Sequence, residues 1–288
     1  MDFRGIPVST IGPGTQPEAE DGKSISYIDM PKDMSTYQPP RLAETTTVAD
    51  LDGAKQAMLW LQGALARYGR SPDPLIANLS ALDSDSREIV NQILGEGEVS
   101  ITHSGPVRAR TQESILAGVW RTLYLDQDDR VIHDLLEVAD IPHYVRAIDG
   151  QSKKVNISAE NAPADVANAR SLLVELDGYC QQYRVDQKPN IINLSLLPLE
   201  DADIVYLDEQ LGHGAVEILS RAYGKCQVSS TLVPNVWWVR YYNSMSVLIL
   251  NTLEVVDVPH VACAAPEDLH DSALRLDEIL APYWSDVA

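Results

Sequence analysis

Residues Leu207–Pro259 read LDEQLGHGAVEILSRAYGKCQVSSTLVPNVWWVRYYNSMSVLILNTLEVVDVP, the most apolar and aromatic-rich stretch of the chain. They also echo an earlier stretch. Counting back 117 positions without a gap places Leu211, Gly212, Gly214, Val216 and Ile218 on Leu94, Gly95, Gly97, Val99 and Ile101. In the same register Val236, Trp237 and Tyr241 fall on Val119, Trp120 and Tyr124, while Leu253, Glu254, Val255, Asp257 and Pro259 fall on Leu136, Glu137, Val138, Asp140 and Pro142. With Leu79, Leu82 and Ile132, 16 of the 68 positions from Leu75 to Pro142 match their partners, which reads as a duplicated unit.

Within each copy the apolar spacing changes from helical to alternating. In the first, Asp85 can cap a helix with Glu88 three positions on, Ile89 and Ile93 face inward, and Gly95 ends it. In the second, Ile204, Leu207 and Leu211 carry the stripe and Gly212 is the stop. Alternation comes next over Val99-Ile101-His103, towards Trp120 and Tyr124, and over Val131 to Ile141; later over Trp237-Val239-Tyr241 and Leu248-Leu250-Thr252, with Leu253 to Val258 as a further strand-like run. Helical spacing also marks Val48 to Tyr68, Asn161 to Tyr183 with Pro163 in its first turn, and a tail opening at Pro266. The expected fold is therefore α+β: two duplicated helix-plus-antiparallel-sheet units about a pseudo-two-fold axis, with covering helices and an extended N-terminal arm. Its expected divisions are the arm at 1–46, a covering helix at 47–74, unit one at 75–142, a connector with a helix at 143–190, unit two at 191–259 and a C-terminal helix at 260–288.

The net charge of −20 is unevenly placed: −3 over 1–46, −7 over 75–142, −5 over 191–259 and −5 over 260–288. Such a surface repels nucleic acid and anionic lipid and speeds encounter with a basic partner. The most apolar run, Val247 to Pro259, carries Asn251, Glu254 and Asp257, so no membrane insertion is expected. The N-terminus lacks the basic and apolar regions of a secretory signal, which points to the cytoplasm. Cys180, Cys226 and Cys263 are too far apart in sequence for a metal knuckle, and three is too few for a disulfide framework.

Catalytic and cofactor motifs are sparse, and no cofactor is expected. Gly95-x-Gly97 and Gly212-x-Gly214 come after helices and precede strands, the reverse of a phosphate-cradling turn. The six histidines show no metal-ligand spacing. Cys226, beside Lys225 and near Arg221, is the one candidate for a thiolate or an iron ligand; the alternative is a hairpin turn with Cys226 packed as a small hydrophobe. Glu137 and Glu254 recur at the same point of both copies, and are expected to pair with Arg121 or Arg240 rather than to work as an acid-base pair. In Trp237–Tyr242, alternation puts Trp238, Arg240 and Tyr242 on one face and Trp237, Val239 and Tyr241 on the other. The first of these faces reads either as a partner-binding surface or as a further layer packed under a helix.

The runs LGEGEVSI, GVW, SRAYGKCQVSST, NVWWVRYYNS, LILNTLEVVDVP and CAAPEDLHDSALRL resemble the HupH/HyaF/HoxQ family of accessory proteins for NiFe-hydrogenase maturation. The resemblance runs from IGPGTQ to the C-terminal helix; Ala222, Lys225 and Gln227 stand where the family pattern has Gly, Asn and Arg. It implies a non-enzymatic chaperone whose partner is the hydrogenase small-subunit precursor during iron-sulfur cluster installation, with other maturation proteins as further partners. A redox or iron-sulfur assembly factor acting through Cys226 is the alternative. The candidate partner contacts are Trp238, Arg240 and Tyr242 with Arg221, Tyr223, Glu96 and Glu98.

Overall fold

A computed structural model describes residues 51–70, 73–105, 107–147, 163, 166, 168–185, 187–221 and 224–284. The expected N-terminal arm lies outside the described residues. Helix α1 spans Asp52–Arg67, and strand β1, Leu75–Asn78, leads into α2, Ser84–Leu94. Next come strands β2 (Val99–Ser104), β3 (Arg108–Glu113), β4 (Val119–Leu125) and β5 (Val131–Val138), then the short α3 (His143–Arg146). The second half carries α4 (Ala169–Gln182), β6 (Asn190–Asn193), α5 (Asp201–Leu211), β7 (Val216–Ser220), β8 (Lys225–Ser230), β9 (Val236–Tyr242) and β10 (Leu248–Val255) before the C-terminal α6 (Pro266–Leu280).

The protein is α+β, and its strands form one ten-stranded antiparallel sheet in the order β1-β5-β4-β3-β2-β7-β8-β9-β10-β6. At its centre Ile101 pairs with Ile218, the residue 117 positions on, and Val99 and His103 pair with Ser220 and Val216. Outward from this pair, strand order and element lengths in β2–β5 and β7–β10 match almost residue for residue. The gapless offset fails further back. Leu75 pairs with Val138 and Asn190 with Val255, so β1 and β6 are 115 positions apart, as are the buried faces of α1 (Ala54, Ala57, Met58, Leu61) and α4 (Ala169, Leu172, Leu173, Leu176). Two extra residues between β6 and α5 account for the difference, and the counterpart of buried Leu79 is buried Leu194, not the exposed Leu196.

The helix ends show why these segments form. Asp83, not Asp85, caps α2, its side chain accepting from Ser86 N at 2.8 Å, and Gly95 ends it at φ 55°. Asp203 is fully buried because one carboxylate oxygen takes the free N–H groups of Asn168 and Ala169, both at 2.9 Å. That contact starts α4 at Ala169, later than the turn expected at Pro163. Leu248–Val255 is a single strand rather than the end of one and the start of another.

Two apolar layers cover one face of the sheet near its ends. Helices α1, α2 and α6 close over Val119, Leu136 and Val138, while α4 and α5 close over Val236, Trp238, Leu253 and Val255. The C-terminal helix therefore covers the first half, its Ser272 donating to Ala117 O at 2.9 Å. On the opposite face a third cluster, Ile101, Trp120, Ile218, Val228, Trp237 and Val239, is capped by Val145 of α3 and by the turn at His260–Ala262.

Gly97 is constrained by close approach rather than by helix termination: a Cβ there would lie 2.2 Å from Ser114 O. Gly97→Ala should therefore lower unfolding free energy by about 2 kcal/mol or more, read by urea denaturation; an unchanged midpoint would show that the strand end yields freely.

Candidate functional site

Trp238 is not an outward-facing grip. It is 3% exposed beneath α4 and α5, its indole N–H donates to Asn251 Oδ1 at 2.5 Å, and the Arg240 guanidinium sits 4.4 Å above its ring. Arg121 holds the matching place in the first half and grips Asp134 through two bonds of 2.6 and 2.9 Å. Both faces of β9 are thus packed, Trp238 under helices and Trp237 in the opposite cluster, which overturns the exposed Trp238/Tyr242 surface. Arg240 and Tyr242 are half-buried, and Tyr223 lies outside the described residues.

Glu137 and Glu254 do not pair with Arg121 or Arg240, because strand alternation puts acid and base on opposite faces. Glu137 accepts from His143 N at 2.8 Å and Glu254 from the Thr252 hydroxyl at 3.3 Å. Burial raises both carboxyls above their ordinary range. Their strands lie seven spacings apart along the sheet, at about 4.8 Å each, so they form no acid-base pair.

The other predicted residues converge. Glu96, Glu98 and Arg221 line one cavity of about 750 Å³ together with Cys226. It lies where β2 and β8 begin and β3 and β7 end, on the face opposite Trp238, and Arg221 N donates to Glu98 O at 3.1 Å across its edge. Its walls include Val99, Ile115 and Val261; Asp268 and Arg275 reach it from α6, and His260 and Cys263 from the turn after β10.

Cys226 is buried, and desolvation pushes its thiol up to about 12, with Glu254 acting in the same direction. Cys226 is thus packed as a small hydrophobe in the cluster opposite Trp238, the packed reading rather than the thiolate one, and Lys225 points to the other face of β8. Cys263, in the same cavity, is likewise held near 12 by burial, whereas Cys180 sits on α4. Among the described residues, no group of three or more His, Cys, Asp or Glu side chains is arranged to hold a metal ion.

The acid that sequence reading missed is Glu113. It is 7% exposed, its carboxylate accepts from Gly118 N at 3.2 Å, and burial raises its pKa to about 7, with the negative charges of Glu98 and Asp268 adding to the rise. A charge at an inward position of RARTQE was the available signal, since Ala109 and Thr111 of the same parity are buried.

This burial has two measurable consequences. Trp238→Ala should cost about 3 to 5 kcal/mol of stability, measured by urea denaturation, and a loss below about 1 kcal/mol would mean that the helices do not seal the site. At pH 8, alkylation of Cys226 and Cys263 in the folded protein should run at least about a hundredfold slower than in denaturant; equal rates, read by mass spectrometry, would show accessible thiolates.

Comparison with known proteins gives this geometry a family. Residues 61–160 and 166–283 match the model of the HupH hydrogenase expression protein, C-terminal conserved region. The hydrogenase expression/formation protein HoxQ of Cupriavidus necator is 42% identical over 97% of this chain and 98% of its own. The hydrogenase expression/formation protein HupQ of Azotobacter chroococcum mcd 1 is 40% identical over 93% and 94%. A solved structure, the hydrogenase expression protein HupH from Thiobacillus denitrificans ATCC 25259, is 27% identical with a TM-score of 0.38, covering 40% of this chain and 95% of that one. With a match over most of its length, this chain belongs to the HupH family of hydrogenase expression proteins.

Proposed function

We propose that this chain is an accessory protein in NiFe-hydrogenase maturation that holds the small-subunit precursor, without catalysing a reaction, while its iron-sulfur clusters are installed. The observation that carries the reading is the near end-to-end likeness to hydrogenase expression/formation proteins. Charge supports it, since a chain of net charge −20 raises the encounter rate with a basic segment. With Trp238 sealed under helices, the contact region in this proposal becomes the cavity bounded by Glu96, Glu98 and Arg221. We also infer that the two halves descend from one duplicated unit. The recurrence of paired details supports it: Ser80 Oγ accepts from Asp134 N at 3.0 Å, and Ser195 Oγ from Asn251 N at 2.8 Å.

No helix among the described residues is long and apolar enough to cross a membrane. Affinity purification of the tagged protein from hydrogenase-producing cells, with mass spectrometry of the co-purifying proteins, should recover the small-subunit precursor. Recovery of no hydrogenase subunit, or of the large subunit alone, would sink the reading. High salt should slow association with less effect on dissociation, because screening reaches within about 3 Å at 1 M.

A further inference from the structure

The cavity is a place left open in one half of the sheet and filled in the other. In the first half Tyr144 occupies it: its hydroxyl lies 2.9 Å from Thr111 Oγ1, and its ring meets His103 and Tyr124 edge-on at 5.9 and 6.2 Å. The residues 117 positions on from Tyr144, His103 and Tyr124 are Val261, Ser220 and Tyr241, all lining the cavity. A phenol has become an isopropyl group, and the missing ring leaves space. The neighbouring Arg146 bonds Asp140 and Asp257 from the first half, and its counterpart is the uncharged Cys263. So the second half lacks the counterparts of Tyr144 and Arg146, and the groups that line the space there include Val261 and Cys263 instead.

The acids remain. Glu113, whose counterpart Ser230 bonds Val216 of β7 as Glu113 bonds Val99 of β2, lines this space, with Glu96, Glu98 and Asp268 at the rim against Arg221 and Arg275. Arg275 is turned in part to Ile115 O at 3.4 Å.

We propose that this cavity binds an extended peptide segment by taking up one arginine or lysine side chain, which pairs with Glu113, while apolar neighbours of that residue lie against Val99, Ile115 and Val261. The reading of the chain as a precursor-holding protein supplies only the peptide's source. Burial holds the Glu113 carboxyl at a pKa of about 7 despite backbone N–H donation from Gly118 and Val99, and the charged groups that act on it most, Glu98 and Asp268, are both negative. An entering guanidinium replaces the proton. Of the other groups facing the cavity, the Cys226 and Cys263 thiols and the Tyr241 phenol are held near 12 and stay neutral through neutral pH. His260 and the rim carboxyls of Glu96, Glu98 and Asp268 also face the cavity, and His260 is separated by substitution.

The test is calorimetric titration of the full chain with a capped pentapeptide carrying one arginine between leucines, in two buffers of different ionisation heat. Close to one proton should be released per peptide at pH 6 and almost none at pH 9. Affinity should weaken about tenfold per pH unit below pH 7. Glu113→Gln, which keeps one oxygen for the Gly118 and Val99 N–H groups, should remain folded at pH 8, bind at least about tenfold more weakly there and release no proton. His260→Gln should keep the parent profile. A citrulline peptide, the same shape without charge, should bind at least about tenfold more weakly, and Val261→Tyr, which restores the first half's filling, should abolish binding. Undiminished binding by Glu113→Gln, or equal binding of the citrulline peptide, overturns the proposal whether or not Val261→Tyr folds. If the precursor co-purifies equally with parent and Glu113→Gln, the cavity site is wrong and the maturation role stands. If it co-purifies with neither, the maturation role fails and the peptide titration alone decides the cavity.

Discussion

The antiparallel pairing of β2 with β7 is the contact on which the rest of the structure depends. It joins Ile101 to Ile218 and turns two five-stranded arrays into one sheet whose edges, among the described residues, are the four-residue strands β1 and β6. Short edges limit unwanted strand pairing, whereas an exposed β2 or β7 would offer a flat apolar template. Register there is decisive as well. A one-residue slip would carry Val99, Ile101, Val216 and Ile218 from the buried cluster to the other face.

Because the join is made edge to edge, each half keeps its own helical cover and its own core beneath it. The central cluster on the opposite face is shared, and the caps over it are short: four residues of α3 on one side and three at His260–Ala262 on the other. Small differences in those caps therefore have large effects on shape. Tyr144 and Arg146 fill and neutralise their side, with Arg146 reaching across to Asp257. Val261 and Cys263 leave the other side concave and acidic. The difference in shape between the two caps resides in these few residues.

Much of the frame was legible from the chain alone. Hydrophobic periodicity placed the longer helices and the strands β2, β4, β5 and β9, though not β3, and the 117-residue echo located Trp120 and Trp237 at the same position of matching strands. The strands β1 and β6 were not legible as such, because four residues carry too little alternation to register and their pairing partners lie some sixty residues away. The cap at Asp83 was misplaced by two residues for a similar reason: Asp83, Asp85 and the serines between and beside them all suit a helix start, and only backbone geometry chooses.

What the sequence determined by itself was the type of the longer, strongly periodic elements, the family and the acidic character of the surface, since these come from local spacing and composition. Only the tertiary structure decided which face each side chain occupies and what lies opposite it. Trp238 and Tyr242 looked like a grip because alternation separates faces without saying whether a helix covers them; α4 and α5 do cover Trp238. For Cys226 the sequence left a thiolate beside Lys225 and a packed small hydrophobe both open; adjacent strand residues point apart, and the thiol is buried with Tyr241. Glu113, unremarked in the chain, became the acid at the heart of the cavity because Ser220, Tyr241 and Asp268, distant in sequence, close around the same space. Burial is a property of the assembled layers, and it set the protonation of these groups.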